Sequence, residues 1–364
     1  MRHRYGYLDP ELLQRLLSEI GLRRLFNHLL LQTGGDVDEA MEWMRVLQER
    51  GLLDPSIDLD AFFARLMDHN VIGRDGEGNL TLTAEGERSI RRDALDEIFG
   101  GLKKASAGYH SVASAGQGSE RLTETRAWRF GDDPTSIDGV RTLQNALRNG
   151  DPSERITITE DDFEVFETEH NSSCATVVMI DISHSMILYG EDRITPAKKV
   201  ALALTELILT KYPKDAINVV LFGDEATEVP ISEISYVQVG PYHTNTRAGL
   251  QLAQNILRRH KHTNKQIFMI TDGKPSALTE SGRLYTNSFG LDMKIVNRTL
   301  EEADRCRRAQ IPITTFMLAT DPTLVNFVEQ LSRINRGRAF YSSPDRLGEY
   351  ILADYIRNRR KFVH

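Results

Sequence analysis

Two hydrophobic patterns divide the chain. Up to about residue 100, apolar residues recur at the spacing of amphipathic helices, as in Met41, Met44 and Leu47. From residue 175 onward, short apolar runs alternate with longer amphipathic segments, which predicts alternating strands and helices. Within these runs, apolar residues do not alternate with polar ones, as is typical of strands covered on both faces. We therefore expect a doubly wound, mostly parallel, Rossmann-like α/β sheet with helices on both faces. The expected strands are 175–180, 217–222, 266–271, 311–318 and 338–342.

The same patterns predict four segments along the chain. Residues 1–102 form a smaller, mainly helical domain, in which residues 8–50 are expected to be helical. Residues 103–120 are rich in Ala, Ser and Gly and are expected to be a flexible linker. Residues 121–170 connect this linker to the α/β domain, 171–364. In the connecting segment we expect strands at 122–128 and 163–166 and a helix near 137–147.

Residues 58–99 have a helix–hairpin–helix pattern that resembles a winged helix. The runs Val71–Arg74 and Leu80–Thr83 flank a Gly-rich turn. The functional interpretation is DNA binding, and the alternative is a docking or packing module. Residues 36–100 contain sixteen acidic and seven basic side chains, which is the wrong sign for phosphate contacts. We therefore expect no nucleic-acid binding.

Composition places the protein in an ordinary globular class. The 45 Lys plus Arg and 52 Asp plus Glu give a net charge of -7, which argues mildly against nucleic acid or an acidic membrane as partner. The two cysteines, Cys174 and Cys306, do not make a disulfide framework and fit a reducing compartment. No signal-peptide core follows Met1, and no run reaches the roughly 18 apolar residues of a membrane span. We expect a cytoplasmic protein, bacterial in style, without a membrane partner.

Local signals predict several helix starts and one long loop. Thr195 with the following proline is expected to start a capped helix, Thr299 begins a capping-box spacing, and Ser343 with its proline opens the last helix. Thr246 is expected to be a helix N-cap, not a ligand. The stretch 275–296 is expected to be a long loop that either shapes partner specificity or is a variable surface excursion.

Polar side chains follow the expected strands at the points where they end. Asp181, Ser183 and Ser185 form a D-x-S-x-S motif after the first strand. Thr244 lies in a T-x-T motif before an expected helix, and Asp272 lies in a T-D-G motif after strand 266–271. Ligands of an open α/β sheet bind at its carboxyl edge, so we expect these side chains to converge. A set of hard oxygen ligands that contains few carboxylates suits Mg²⁺, and Mn²⁺ or Ca²⁺ could take its place.

The three motifs, in this order, resemble the metal-ion-dependent adhesion site of von Willebrand factor type A (vWA) domains, over about residues 170–360. The resemblance implies that Ser183 and Ser185 coordinate the metal through their hydroxyls. It implies that Asp181 binds directly or through water, and that Asp272 holds a coordinating water. Thr244 would become a direct ligand when a partner is bound. An Asp or Glu of a partner protein would fill the open position.

The segments 265–273 and 311–318 further resemble cytoplasmic bacterial vWA proteins. Such relatives act with MoxR-type AAA+ ATPases or within metal chelatases. The resemblance implies an adaptor or substrate-recognition partner of such an ATPase, in complex assembly or metal-cofactor insertion.

Two alternatives stay open at this point. One is a metal-dependent phosphoryl-transfer enzyme, and the other is a winged-helix regulator with a vWA sensor domain. A phosphoryl-transfer aspartate usually has a second carboxylate two positions on, where this chain has Ser183. The chain also lacks a P-loop, so it should not hydrolyse ATP itself. We therefore expect a binding protein that is not an enzyme.

Overall fold

The computed structural model describes residues 19–105, 120–129, 132, 134–149, 157–169, 173–190, 192–240, 242–272, 274–287, 290–318, 321–342 and 346–359. The chain divides into two units, Met1–Ala105 with Cys174–Tyr355, and Ser106–Ser173 with Ile356–His364. The predictions for residues 8–18, for most of the linker and for the helix start at Ser343 lie outside the described residues.

The first unit begins with helices and one small hairpin. The hairpin strands are antiparallel and pair Ile72 with Leu82, so the expected helix–hairpin–helix order is confirmed. The last helix of this part extends to Ala105, three residues into the segment expected to be a linker. The elements are α1 (Glu19–Gln32), α2 (Val37–Glu49), α3 (Leu59–Asp68), β1 (Ile72–Arg74), β2 (Leu80–Leu82) and α4 (Ala84–Ala105).

The second unit contains an antiparallel pair of strands and a helix. These are β3 (Glu120–Ala127), α5 (Gly139–Asn149) and β4 (Glu164–Glu169). Both strands and the helix expected in the connecting segment are therefore confirmed. Asp162 is buried before β4, where it accepts hydrogen bonds from the backbone and hydroxyl of Thr159 at 2.9 and 2.8 Å.

The α/β sheet has six strands in the order β12-β11-β8-β5-β6-β7, and every pair except β6–β7 is parallel. The expected doubly wound, mostly parallel fold is confirmed. In chain order, the remaining elements are β5 (Cys174–Asp181), α6 (Ile194–Lys211), β6 (Ala216–Phe222), β7 (Ala226–Val229), α7 (Thr246–Arg259), β8 (Asn264–Thr271), β9 (Ala277–Glu280), β10 (Arg283–Thr286), α8 (Met293–Arg308), β11 (Ile313–Met317), α9 (Pro322–Asn335), β12 (Arg338–Tyr341) and α10 (Leu347–Arg359).

Every residue of β5 is buried, because the strand lies at the centre of the sheet with both faces covered. Alternate residues such as Val177 and Met179 pack in one cluster with residues of α7, α8 and α9. On the opposite face, Phe268 makes edge contacts with Phe316 and with Tyr355 of α10. Burial on both faces requires unbroken apolar strands, which is why β5 reads as a continuous hydrophobic run.

The N-terminal helices pack against α6 within the first unit. Arg91 of α4 pairs with the buried carboxylate of Glu206 at 3.2 Å. Lys198, almost fully buried, donates to the carbonyl oxygens of Leu31 and of Val237, the latter at 2.9 Å. One ammonium group therefore joins the end of α1 to the segment that follows β7.

Burial lowers the pKa of Lys198 from 10.5 to about 8. The folded chain therefore holds this proton less firmly than the unfolded chain, and the free energy of unfolding should rise between pH 8 and 10.5. Across that window, we expect the free energy of unfolding to rise by about 3 kcal/mol more in the wild type than in Lys198→Met. Urea denaturation of both proteins along a pH series measures this difference, and parallel pH profiles would contradict it.

Three local predictions are wrong in detail. Helix α6 begins at Ile194, and Asp192 accepts the hydrogen bond from the backbone N–H of Thr195 at 2.9 Å. Thr299 lies buried within α8, whose cap is Asp292. The stretch 275–296 contains the β9–β10 hairpin and the start of α8, so it is not a loop throughout. The hairpin turn at Ser281 and Gly282 has φ values of 50° and 75°, as a tight two-residue turn requires.

Among the helices in the described ranges, none has the length and apolar character needed to cross a bilayer.

Candidate functional site

The D-x-S-x-S residues lie where β5 leaves the sheet. The carboxylate of Asp181 is fully buried and accepts from the backbone N–H of Ser183 at 2.9 Å. This bond turns the chain sharply after the strand, so that the hydroxyls of Ser183 and Ser185 lie 3.0 Å apart on one side. The backbone N–H of Ile182 donates to Phe222 at the end of β6, which holds the turn against the neighbouring strand.

The end of β8 brings a second carboxylate to the same place. Thr271 donates its hydroxyl to Asp181 at 2.6 Å, and Ser185 donates its hydroxyl to Asp272 at 2.7 Å. The structure therefore joins Asp181, Ser183, Ser185 and Asp272 into one hydrogen-bonded group. The expected convergence of the first and third motifs follows from the pairing of β5 with β8.

Thr244 lies at the same edge, just before α7. Its backbone N–H donates to the hydroxyl of Ser276 at 3.0 Å, and its carbonyl accepts from the N–H of Ser276 at 3.0 Å. Asn245, directly after it, donates from its backbone to Gly223 at 2.8 Å, which fixes this segment to the end of β6. Asn245 also caps α7 through Ala248, so the prediction of Thr246 as the N-cap is wrong.

Arg193 is a member of the site that sequence reasoning missed. Its guanidinium lies 2.5 Å from the second oxygen of Asp272, whose side chain is inaccessible to solvent. Arg193 lies directly before α6, far from Asp272 in sequence. One signal in the sequence could have indicated it. Because α6 follows β5 in the chain, the first turn of α6 lies near the sheet edge where β5 ends.

Burial, together with the negative charge of Asp272, raises the pKa of Asp181 from 3.8 to about 7. The hydrogen bonds from Ser183 and Thr271 act in the opposite direction but are smaller causes. A buried carboxylate beside another carboxylate is costly unless positive charge compensates it. Arg193 supplies part of that charge to Asp272, on the side away from Ser185.

The donor set fits a hard divalent cation. Two carboxylates and three hydroxyls, which are all oxygen ligands, lie at the carboxyl edge: Asp181, Ser183, Ser185, Thr244 and Asp272. Such ligands suit Mg²⁺, Mn²⁺ or Ca²⁺. Among the described residues, no three His, Cys, Asp or Glu side chains are grouped so that they could hold a metal ion.

Comparison with known families gives two matches along the chain. A family model described as "Rv0959-like protein, vWA domain" matches residues 174–356, and one described as "Rv0959-like protein, third domain" matches residues 120–168. Protein Rv0959 of Mycobacterium tuberculosis is 32% identical over 354 residues, which cover 95% of this chain and 49% of that protein. Protein Mb0984 of Mycobacterium bovis matches with the same values. The chain thus spans about half the length of these relatives.

Solved structures that are similar to this chain include the vWF domain of the type V pili tip protein Mfa5 from Porphyromonas gingivalis. It is 14% identical, with 53% of this chain and 98% of that chain covered and a TM-score of 0.42. The SpRpn10 VWA domain is 16% identical, with 49% and 93% covered and a TM-score of 0.37.

The vWA domain points to a protein-interaction module. Its family model spans half of the chain, and the strand order β12-β11-β8-β5-β6-β7 agrees with the α/β fold expected for it. The chain therefore belongs to the Rv0959-like family of vWA-domain proteins.

Proposed function

We propose that the chain is a divalent-metal-dependent protein-binding module. The observation that carries this proposal is the hydrogen-bonded group of Asp181, Ser183, Ser185 and Asp272 at the carboxyl edge of the sheet. Thr244 lies at the same edge, where its backbone bonds to Ser276. When bound, Mg²⁺ supplies an electrophilic position for an oxygen of another molecule. Few carboxylates surround that position, so an Asp or Glu of a partner protein is the ligand that the site favours.

The residues of the chain have separate tasks in this proposal. Ser183 and Ser185 offer neutral oxygens, which leave the ion electron-poor. Asp181 provides charge from a position that solvent cannot reach. Asp272 is held by Arg193 and Ser185, so its carboxylate orients a neighbouring hydroxyl or water rather than moving toward solvent.

Our proposal for the partner is an AAA+ ATPase of the MoxR type, for which the chain acts as an adaptor in complex assembly or metal-cofactor insertion, in the cytoplasm. Its support is the sequence resemblance, together with the family's vWA domain. Affinity capture from native lysate in Mg²⁺ or in chelator tests it. We expect an AAA+ ATPase in the Mg²⁺ eluate and its loss with chelator. An ATPase retained equally in chelator would contradict the metal-dependent part of the proposal.

Replacement of Thr244 by valine should separate partner capture from metal binding. Valine keeps the shape of the side chain and removes the hydroxyl that we expect to reach the metal only in the complex. We expect a loss of about tenfold in affinity for an acidic partner, with the Mg²⁺ affinity changed less. Calorimetry with Mg²⁺, followed by partner binding, measures both.

Thr210→Val is the matched control, because Thr210 is an exposed residue near the end of α6 whose hydroxyl bonds within its own helix. It should leave both affinities unchanged. Equal loss of metal and partner affinity in Thr244→Val would mean that Thr244 is a ligand even without a partner.

A further inference from the structure

A cavity of about 520 Å³ opens beside the metal site. Ile182, which lies between Asp181 and Ser183 in the motif, forms part of its lining, and so does Tyr242, two residues before Thr244. The carbonyl of Tyr242 accepts from the backbone N–H of His184 at 3.2 Å, so the cavity and the metal site share this wall. The remaining lining comes from the β6–β7 turn and from the β9–β10 hairpin, through Gly223, Asp224, Glu225, Thr227, Thr279, Gly282 and Leu284.

The walls of this cavity are held in place by the surrounding chain. A Cβ atom on either Gly223 or Gly240 would overlap the side chain of Tyr242, so both glycines allow the tyrosine to pack against the backbone. Asn245 joins the two sides, because its amide donates to the carbonyl of Asp224 and to the hydroxyl of Thr279, each at 3.0 Å. The cavity is thus preorganised and does not depend on a partner to form it.

The lining combines negative charge with exposed apolar surface. Asp224 and Glu225 bring two carboxylates, and Asp224 also contacts the ring of His243 at 3.0 Å. Tyr242 and Leu284 are 42% and 44% exposed, although both are large and mainly apolar. Such a lining disfavours an acidic side chain and suits a cation that carries its own flat or aliphatic surface. The guanidinium of arginine fits because it pairs with carboxylates and stacks on aromatic rings.

We propose that this cavity receives an arginine side chain from the same partner segment whose Asp or Glu reaches the metal. This inference rests on the proposed function, because it assigns a second anchor to the same recognition event. The metal would select a carboxylate, and the cavity would select a cation at a fixed distance from it. The partner sequence is therefore an acidic residue followed or preceded at short range by arginine.

A peptide series tests the proposal on the full chain. The probes are fluorescein-labelled peptides with one Glu and one Arg, separated by zero to four glycines in either order. Each has a twin in which neutral citrulline replaces Arg. At the best spacing, we expect the Arg peptide to bind about tenfold more tightly than its twin in Mg²⁺, by fluorescence anisotropy. That ratio should approach one in Glu225→Gln and in Asp224→Asn.

Glu233→Gln is the matched control, since Glu233 is exposed and does not line the cavity. It should keep the full preference for arginine. Binding that needs Mg²⁺ but does not distinguish Arg from citrulline would contradict the proposed role of the cavity as an arginine site. The proposed function would still hold. A preference for Arg that persists in chelator would support the cavity and count against metal-dependent capture. No binding of any peptide would contradict both.

Discussion

Asp181→Asn should lower the affinity of the protein for Mg²⁺ by more than about 100-fold. The variant keeps the size of the side chain and removes a negative charge that solvent does not reach. In the wild type, that charge is costly without a cation, because burial and Asp272 both oppose ionisation and raise the pKa of Asp181 to about 7. A bound metal ion offsets this cost by attracting the buried carboxylate. The uncharged amide of asparagine gains no such attraction. Calorimetric titration of chelator-stripped protein with MgCl₂ measures the change.

The variant should remain folded, which makes the experiment decisive. The amide oxygen can still accept from the backbone of Ser183, and the amide nitrogen can donate to the hydroxyl of Thr271. Asp60→Asn is the matched control, because the Asp60 side chain is 86% exposed. We expect it to bind Mg²⁺ as the wild type does. Unchanged metal affinity in Asp181→Asn would remove Asp181 from the site. Metal-dependent turnover of phosphoesters that disappears in this variant would favour an enzyme.

Asn335→Leu should lower the free energy of unfolding by about 3–5 kcal/mol. Asn335 is buried at the end of α9, where its oxygen accepts from the N–H of Ile313 at 2.6 Å. Its nitrogen donates to the carbonyls of Ala303 and Ile311 at 3.0 and 3.2 Å. Leucine has a similar volume but leaves these backbone groups without their partner. Urea denaturation monitored by circular dichroism measures the loss.

Asn326→Leu, on the exposed side of the same helix, supplies the comparison. Its oxygen bonds only to the neighbouring Gln330 in the described structure, so we expect a change within about 0.5 kcal/mol. Equal stability of the two variants would mean that the buried bonds of Asn335 contribute nothing beyond its packing.

The central sheet and the first part of the site could be predicted because their signals are local. Asp181, Ser183 and Ser185 follow an unbroken apolar strand, and Asp272 follows another. Parallel pairing then brings the two strand ends together without further information. A contiguous motif at the end of a recognisable strand is therefore readable from one sequence.

Other features depend on tertiary contacts that spacing does not encode. Thr299 has the spacing of a capping box, but its hydroxyl donates to Ile295 within a buried helical turn. The actual cap is Asp292, whose carboxylate accepts from the backbone N–H of Lys294. The β9–β10 hairpin was missed because its strands are short, although the turn at Gly282 is a usual hairpin signal. The position of Arg193 before α6 places it at this sheet edge, but it was missed because nothing in its own segment specifies Asp272 as its partner.

The ion pair between Arg193 and Asp272 gives the site a charge that changes sign on loading. Above about pH 7, where Asp181 is ionised, the two carboxylates and the guanidinium give the site a charge of -1. One Mg²⁺ ion changes the local charge to +1. An approaching acidic segment is then repelled by the site without metal and attracted by the site with metal. Association with an acidic partner should therefore accelerate with Mg²⁺ and slow with added salt, in the manner of an electrostatically steered encounter.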